Sequence, residues 1–328
     1  MKNIRIFGFI LFLFLISVCN AKAENKVLII AGAGGTAEFD SLFFQQALEL
    51  QQLLITNYGY GSEDITVFVA DSPDSARQQF PQSTALNVQN YFKSATSELT
   101  AQDDFFCFLI GHGSYDNEWG KFNLPGNDLR DFDYSRLLDG IHVNKILFIN
   151  MASASGTFID KISKKDRIVI TATRNGFEKN ATEFANQFLE TLRNSKSSDL
   201  NKDGQLSATE LFVATRDRVV KYYDVNKQLR PEHPLIEDDG DGFGTEMPDL
   251  QEGDGIIAGE IYIAQRKSTQ KKIDSSSMQP VTASDMKREN ILARIKALKK
   301  KKTVMNEDDY YDELENLMVK LAKLSQQK

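Results

Sequence analysis

Five short apolar segments, separated by longer amphipathic stretches, restrict the fold of this 328-residue chain more than any other feature. They span residues 27–31, 65–69, 105–110, 146–149 and 168–171, and each is bounded by polar residues or glycine. Continuous apolar runs of this length are typical of parallel strands that are buried on both faces. Between the first two, apolar residues recur at helical spacing. The pattern predicts an α/β fold with an open, mostly parallel sheet and helices on both faces.

The amino-terminal residues predict an exported protein. Lys2 and Arg5 precede the apolar segment 6–18, which is short for a membrane span, and Ala21-Lys22-Ala23 is a small-x-small cleavage site. We therefore expect residues 1–23 to be a signal peptide, with a retained membrane anchor as the alternative. Cleavage would leave a periplasmic or secreted protein without membrane attachment. It would remove three basic residues and no acidic ones, so the formal charge would move from -7 to -10.

Charge and cysteine content argue against two classes of protein. The chain has 39 Lys and Arg residues against 46 Asp and Glu residues, so it lacks the basic excess with which proteins bind nucleic acid. Cys107 is the only cysteine after residue 23, which excludes a disulfide within the cleaved chain. Because Cys107 lies inside an apolar run, we expect it to be buried and structural.

Four regions are expected after the signal peptide. Residues 24–198 form the α/β domain, and residues 199–266 continue it with acidic loops. A linker rich in Ser, Thr, Lys and Gln covers residues 267–283, and residues 284–328 have the spacing of two amphipathic helices. The sequence leaves the oligomeric state open.

Candidate catalytic residues follow the third and fourth apolar segments. In an open parallel sheet, reactive groups gather at the carboxyl ends of the strands. Gly111-His112-Gly113-Ser114 follows the third segment, and Ser153 lies just after the fourth. One of only 3 histidines thus lies between two glycines, where the backbone can approach a substrate closely. These residues predict a His112 base facing a serine nucleophile, with a simple tight turn as the alternative.

The same segments resemble the caspase-like superfamily of cysteine peptidases. His112-Gly113-Ser114 and Ala152-Ser153-Ala154-Ser155-Gly156 are most similar to the legumain (asparaginyl endopeptidase) branch, which has His-Gly-Ser after one strand and Ala-Cys-x-Ser-Gly after the next. The resemblance covers residues 26–193. It implies a caspase-like fold, a peptide or protein substrate, His112 as base, a nucleophile at Ser153, and an oxyanion hole formed by the N–H groups of Gly113 and Ser153.

Three positions depart from the legumain pattern. Ser153 replaces the nucleophilic cysteine, Met151 replaces an acidic residue that contacts the substrate, and Gly34 aligns with the asparagine that steadies the histidine. An asparaginyl preference therefore does not carry over. A serine hydroxyl depends on a base that is oriented by a third group, for which Asp116 and Glu118 are the candidates nearby in sequence.

The sequence accordingly supports several functions. The leading one is a secreted legumain-like peptidase that uses His112 and Ser153. The alternative is a catalytically inactive, calcium-stabilised pseudopeptidase that binds a peptide or a protein. A serine esterase or transpeptidase on the same scaffold is a third candidate. An engineered Cys-to-Ser replacement at Ser153 is disfavoured, because the departures at Met151 and Gly34 would not need engineering.

Two acidic loops predict Ca²⁺ as the cofactor. Residues 199–210 resemble an EF-hand loop, with a glycine, Gly204, at the sixth position and a glutamate at the twelfth. Its expected ligands are Asp199, Asn201, Asp203, Gln205, Ser207 and Glu210. A second loop has carboxylates at Glu237, Asp239 and Asp241, but Pro248 occupies the position of the final glutamate. This second loop is expected either to bind calcium weakly or to pair with the first loop.

Overall fold

The computed structural model describes residues 24–70, 78–249 and 252–265, together with residues 291, 294, 295, 298 and 305–325. The predicted signal peptide and the whole of the predicted linker lie outside these residues, as does most of the first predicted carboxyl-terminal helix. The chain divides into two compact units. The first contains residues 1–248 and 253–268, and the second contains residues 249–252 and 269–328.

Nine strands are found in the described part of the first unit. They are β1 (Asn25–Ala31), β2 (Ile65–Phe68), β3 (Asp104–Ile110), β4 (Gly113–Tyr115), β5 (Gly120–Phe122), β6 (Leu129–Arg130), β7 (Lys145–Asn150), β8 (Arg167–Thr171) and β9 (Leu235–Glu237). Six of them form one sheet in the order β2-β1-β3-β7-β8-β9, in which only β9 is antiparallel to its neighbour. The five apolar segments are the five parallel strands, which confirms the α/β prediction.

The remaining strands are not apparent in the sequence pattern. The strands β4, β5 and β6 form a small antiparallel sheet, and β9 lies within residues 199–266, for which acidic loops were predicted. Each has only two or three residues, which is too short to show the alternation of apolar and polar side chains that identifies a strand.

Several of the helices in the described residues begin at a capping hydroxyl. In chain order they are α1 (Ala37–Tyr58), α2 (Ala85–Glu98), α3 (Asp131–Asp139), α4 (Ile159–Ile162), α5 (Phe184–Arg193), α6 (Ser195–Ser198), α7 (Ala208–Asn226) and, in the second unit, α8 (Glu307–Ser325). The Thr36 hydroxyl accepts the N–H of Phe39 at the start of α1, and Gly59 ends that helix with a φ of 79°. Only glycine adopts this left-handed conformation without a steric cost.

The hydrophobic core lies on both faces of the large sheet. Alternate residues of β1 point to opposite faces, so Val27 and Ile29 pack with residues of α1, α5 and α7. Leu28 and Ile30 pack with residues of α2, α3 and α4. Cys107 is fully buried in this second layer and its pKa is raised by burial, as expected for a structural thiol.

Glu232 sets the start of α5. Its carboxylate accepts the N–H groups of Glu183 and Phe184 at 2.7 and 3.2 Å, and the Tyr223 hydroxyl at 2.7 Å. A carboxylate at this position satisfies N–H groups that have no partner within the helix. Burial raises the pKa of Glu232 to about 7, although these hydrogen bonds oppose the shift.

We expect Glu232 to make the protein less stable as the pH rises. The folded state holds this proton more tightly than the unfolded chain, whose pKa is 4.5, so the contribution is complete below pH 4.5 and is lost as the pH rises through about 7. This pKa shift corresponds to a change of at most about 3 kcal/mol in the free energy of unfolding. The free energy of unfolding, measured with urea, should decrease more between pH 5 and pH 8 for the native protein than for Glu232→Gln. Equal decreases in the two proteins would contradict the assignment.

The second unit contains the second of the two predicted carboxyl-terminal helices, α8. Its residues Tyr310 and Leu317 are buried against Ile295 and Leu298. Arg294 and Glu313 form an ion pair at 3.7 Å. Among the described residues, no helix combines the length and the apolar character needed to cross a membrane.

Candidate functional site

The two predicted catalytic residues lie at the carboxyl edge of the large sheet. His112 follows β3 and Ser153 follows β7, and these strands are parallel neighbours in which Leu109 pairs with Asn150. The register brings the two loops together, because Gly113 and Ser153 are hydrogen-bonded to each other. The sequence-based pairing of these loops is therefore present in the fold.

The Ser153 hydroxyl is held by the backbone of Gly113. Its Oγ donates to the Gly113 carbonyl at 3.0 Å and accepts the Gly113 N–H at 3.2 Å. Ser153 is also only 2% exposed. The hydroxyl proton is thus directed at a carbonyl oxygen instead of a base, and the Gly113 N–H expected in an oxyanion hole is engaged by the hydroxyl itself.

His112 has an apolar environment. Its ring makes edge contacts with Phe39 and Phe43 of α1, at centroid distances of 4.5 and 4.9 Å. Burial lowers the pKa of His112, which favours the neutral imidazole. A neutral imidazole has the protonation state of a general base, but a base for serine also needs an orienting partner.

Neither candidate for that orienting partner fulfils the role. Asp116 pairs with Lys121 at 2.6 Å and accepts the N–H groups of Glu118 and Trp119. Within the described ranges, the His112 ring forms no hydrogen bond or ion pair with Asp116, Glu118 or any other side chain. The acid–histidine–serine arrangement is therefore incomplete at this edge.

The two other departures from the legumain pattern have structural reasons. A Cβ at Gly34 would lie 2.2 Å from the backbone nitrogen of Asp40, so the start of α1 leaves no room for a side chain there. Met151 is 1% exposed, and its carbonyl accepts the Thr182 hydroxyl at 2.7 Å. An acidic side chain at position 151 would be buried at a cost in free energy.

Residues 174–179 form a wall beside this edge that the sequence analysis did not identify. The Ala154 N–H, next to Ser153, donates to the Glu178 carbonyl at 2.8 Å. The Glu178 carboxylate contacts His233 Nδ1 at 2.6 Å and Arg174 Nε at 2.9 Å, which ties the loop to the segment before β9. No sequence pattern indicates this, because Glu178 and His233 are 55 residues apart.

Two aromatic side chains extend this wall. Phe177 packs edge-on against Tyr115 at a centroid distance of 5.4 Å, yet it is 70% exposed. Lys179 Nζ donates to the Tyr115 carbonyl at 3.1 Å, which fixes β4 against the same loop. A large exposed ring that is positioned by its neighbours is suited to contact a partner molecule.

A cavity of about 710 Å³ lies elsewhere in the first unit. Its lining includes Glu24, Lys26 and Asp103, which lie at the amino-terminal edge of the large sheet. His112 and Ser153 lie at the opposite edge, so this cavity is separate from them.

The EF-hand-like loop is closed by its own side chains. The Asp199 carboxylate accepts the N–H groups of Asp203 and Gly204, and Gly204 has a φ of 85° as the sharp turn requires. The Ser207 hydroxyl begins α7, and Glu210 accepts the Ser207 N–H and hydroxyl. The turn and the helix start thus have the predicted form, and calcium at this loop stays a prediction.

In the second acidic loop, the structure joins Glu237 and Asp239 with Asp254. Carboxylate oxygens of these three residues all lie within 4.8 Å of one another. Asp241, the third predicted ligand, is exposed, and its Oδ1 accepts the Phe243 N–H at 2.7 Å. Asp254 could not be found from the spacing of the loop, because it reaches the group from a separate segment.

No protein-family model matches the chain, and no curated protein matches it. Among solved structures, the chain is similar to caspase-1 from Spodoptera frugiperda, with a TM-score of 0.45 and 12% identity over 67% of this chain and 90% of that chain. At this similarity, nothing about activity follows for the present protein.

Proposed function

We propose that this protein binds an extended peptide or protein segment at the His112–Ser153 edge without hydrolysing it. The observation that carries the proposal is the engagement of the Ser153 hydroxyl by both backbone groups of Gly113. A serine becomes nucleophilic only when a positioned base removes its proton, and here the proton is directed at a carbonyl. The proposal corresponds to the pseudopeptidase alternative from the sequence.

The binding part of the proposal rests on the loop wall beside this edge. Phe177 offers an exposed aromatic face, and its neighbour Tyr115 is fixed by Lys179. Aromatic rings held in place lose little conformational entropy on binding, so they contribute strongly to recognition. Export and calcium binding at residues 199–210 belong to the same proposal, because extracytoplasmic calcium would stabilise the loop.

A peptidase that uses Ser153 is the second candidate. It is favoured by the position of His112 and Ser153 on adjacent loops of one sheet edge. Catalytic hydrogen bonds often form only when substrate binds. A substrate would have to displace the Ser153 hydroxyl from Gly113 and turn it toward His112.

Covalent labelling distinguishes the two candidates. We expect a serine-directed fluorophosphonate probe to label the native protein no more than it labels Ser153→Ala. We also expect the native protein to leave peptide substrates intact. Labelling of the native protein that Ser153→Ala abolishes would contradict our proposal and support the peptidase. In Ser153→Cys, a cysteine-directed peptidyl ketone reports whether His112 activates a thiol. Buried Cys107 provides the unreactive background in every variant.

Peptide binding is tested separately from hydrolysis. We expect a random peptide library displayed on phage to yield sequences that bind the native protein and Ser153→Ala equally. Phe177→Ala should weaken that binding about 10-fold, which corresponds to ~1.4 kcal/mol. Phe243→Ala is the matched control, since Phe243 is also a largely exposed phenylalanine, at 78%. Equal peptide affinities of Phe177→Ala and Phe243→Ala would show that Phe177 does not belong to the binding surface.

A further inference from the structure

Three carboxylates from two separate segments meet beyond the end of β9. Glu237 is the last residue of that strand, Asp239 follows it, and Asp254 belongs to the loop 252–258. All three contribute an oxygen to a group that spans no more than 4.8 Å. Among the described residues, none of the three forms an ion pair with Lys, Arg or His, so their negative charges are uncompensated.

Glu237 shows that this group needs a further partner. Its side chain is 0% exposed, and its Oε1 accepts the Gly240 N–H at 2.7 Å. Its side chain also contacts the Ser163 hydroxyl, but neither Oε2 nor that hydroxyl oxygen has a hydrogen bond of normal geometry. A buried carboxylate oxygen without a partner is costly, and in native proteins such groups are paired or bind a metal ion.

The electrostatics of the neighbouring residues agree with this. Three carboxylate oxygens within 4.8 Å of one another repel each other when they are ionised. Asp238 does not share the need for a partner, because its two oxygens accept the N–H groups of Gly255 and Ala258 at 2.9 and 2.6 Å. A cation among the other three carboxylates would offset this repulsion between their charges.

We propose that Glu237, Asp239 and Asp254 bind one calcium ion that joins the loop 252–258 to the end of β9. Three carboxylates at one point suit a hard cation with many oxygen ligands. Magnesium usually keeps several waters and takes one or two protein carboxylates, and zinc prefers histidine or cysteine ligands. Calcium is therefore the ion that fits this ligand set.

The ion would act on structure and not on chemistry. The loop 252–258 already contacts α7, because the Thr209 hydroxyl donates to the Gly255 carbonyl at 2.7 Å. Asp254 accepts the Asp238 N–H at 2.9 Å, so the ion would bind where this loop crosses the start of the acidic turn. Calcium would thereby fix the loop against both β9 and the start of α7.

The test compares Asp254→Asn with Asp241→Asn. Each is combined with Glu210→Gln, which removes the final predicted calcium ligand of the EF-hand-like loop. Calorimetric titration of Glu210→Gln with CaCl₂ should show one bound ion per chain. Adding Asp254→Asn should abolish that binding, because the amide keeps the acceptor for the Asp238 N–H but removes the charge. Adding Asp241→Asn should leave the affinity unchanged, since this neighbouring carboxylate is outside the group. The melting temperature should rise with calcium only in the proteins that bind the ion.

Two results would overturn the proposal. One is the absence of calcium binding in Glu210→Gln whose circular dichroism matches that of the native protein. The other is equal calcium binding by the Asp254→Asn and Asp241→Asn variants. If Asp254→Asn is unfolded in EGTA, Glu237→Gln replaces it in the same comparison. Titration with MgCl₂ should give at least a 10-fold weaker affinity, and a preference for magnesium would also contradict the assignment.

Discussion

Gly113→Ala is expected to lower the free energy of unfolding by about 3 kcal/mol, because the new methyl group would overlap backbone atoms on two sides. An added Cβ would lie 2.2 Å from the Ser153 carbonyl oxygen and 3.0 Å from that of Lys121. The Lys121 carbonyl does not move freely, since Lys121 pairs with Ser114 across β4 and β5. The variant should therefore push the loops after β3 and β7 apart and release the Ser153 hydroxyl.

Gly140→Ala is the matched control for this effect. Gly140 has a φ of -75°, which every residue adopts, and the nearest atoms to an added Cβ are 3.4 Å away. Its unfolding free energy should stay within about 0.5 kcal/mol of the native value. Urea unfolding of both variants measures the difference. If Gly113→Ala were as stable as Gly140→Ala, the close contact between Gly113 and Ser153 would not exist in solution.

Phe148→Ala is expected to destabilise the protein by about 3–5 kcal/mol, the usual range for removing a buried aromatic side chain. Phe148 lies in the middle of β7, is 0% exposed, and packs against Tyr134 and Phe158 at centroid distances of 5.8 and 6.1 Å. The substitution leaves a cavity between the sheet and its helical layer that neighbouring rings fill only in part.

Phe177→Ala tests the same chemical change on the surface. Because Phe177 is 70% exposed, its removal should change the free energy of unfolding by less than about 0.5 kcal/mol. Thermal and urea unfolding of the two variants provide the comparison. A large loss of stability in Phe177→Ala would mean that its ring supports the loop wall instead of being available to a partner.

Sequence patterns were informative wherever the chain is apolar and regular. The five parallel strands coincide with the five apolar segments, since strands buried on both faces require continuous apolar residues. The sequence pattern did not predict the short strands β4, β5, β6 and β9, because two or three residues carry no periodicity. Helix starts were less predictable, as α5 shows, because Glu232 lies 48 residues from the N–H of Phe184 that it accepts.

The sequence by itself determined the sheet and placed His112 and Ser153 at one edge of it, because residues that follow parallel strands share that edge. Only the tertiary structure decided the chemistry of that edge. It directs the Ser153 hydroxyl to Gly113, surrounds His112 with phenylalanine rings, and replaces Asp241 by Asp254 in the acidic group. The physical reason is that hydrogen bonds and charge clusters depend on ångström distances between remote segments. Apolar periodicity within one segment contains no information about those distances.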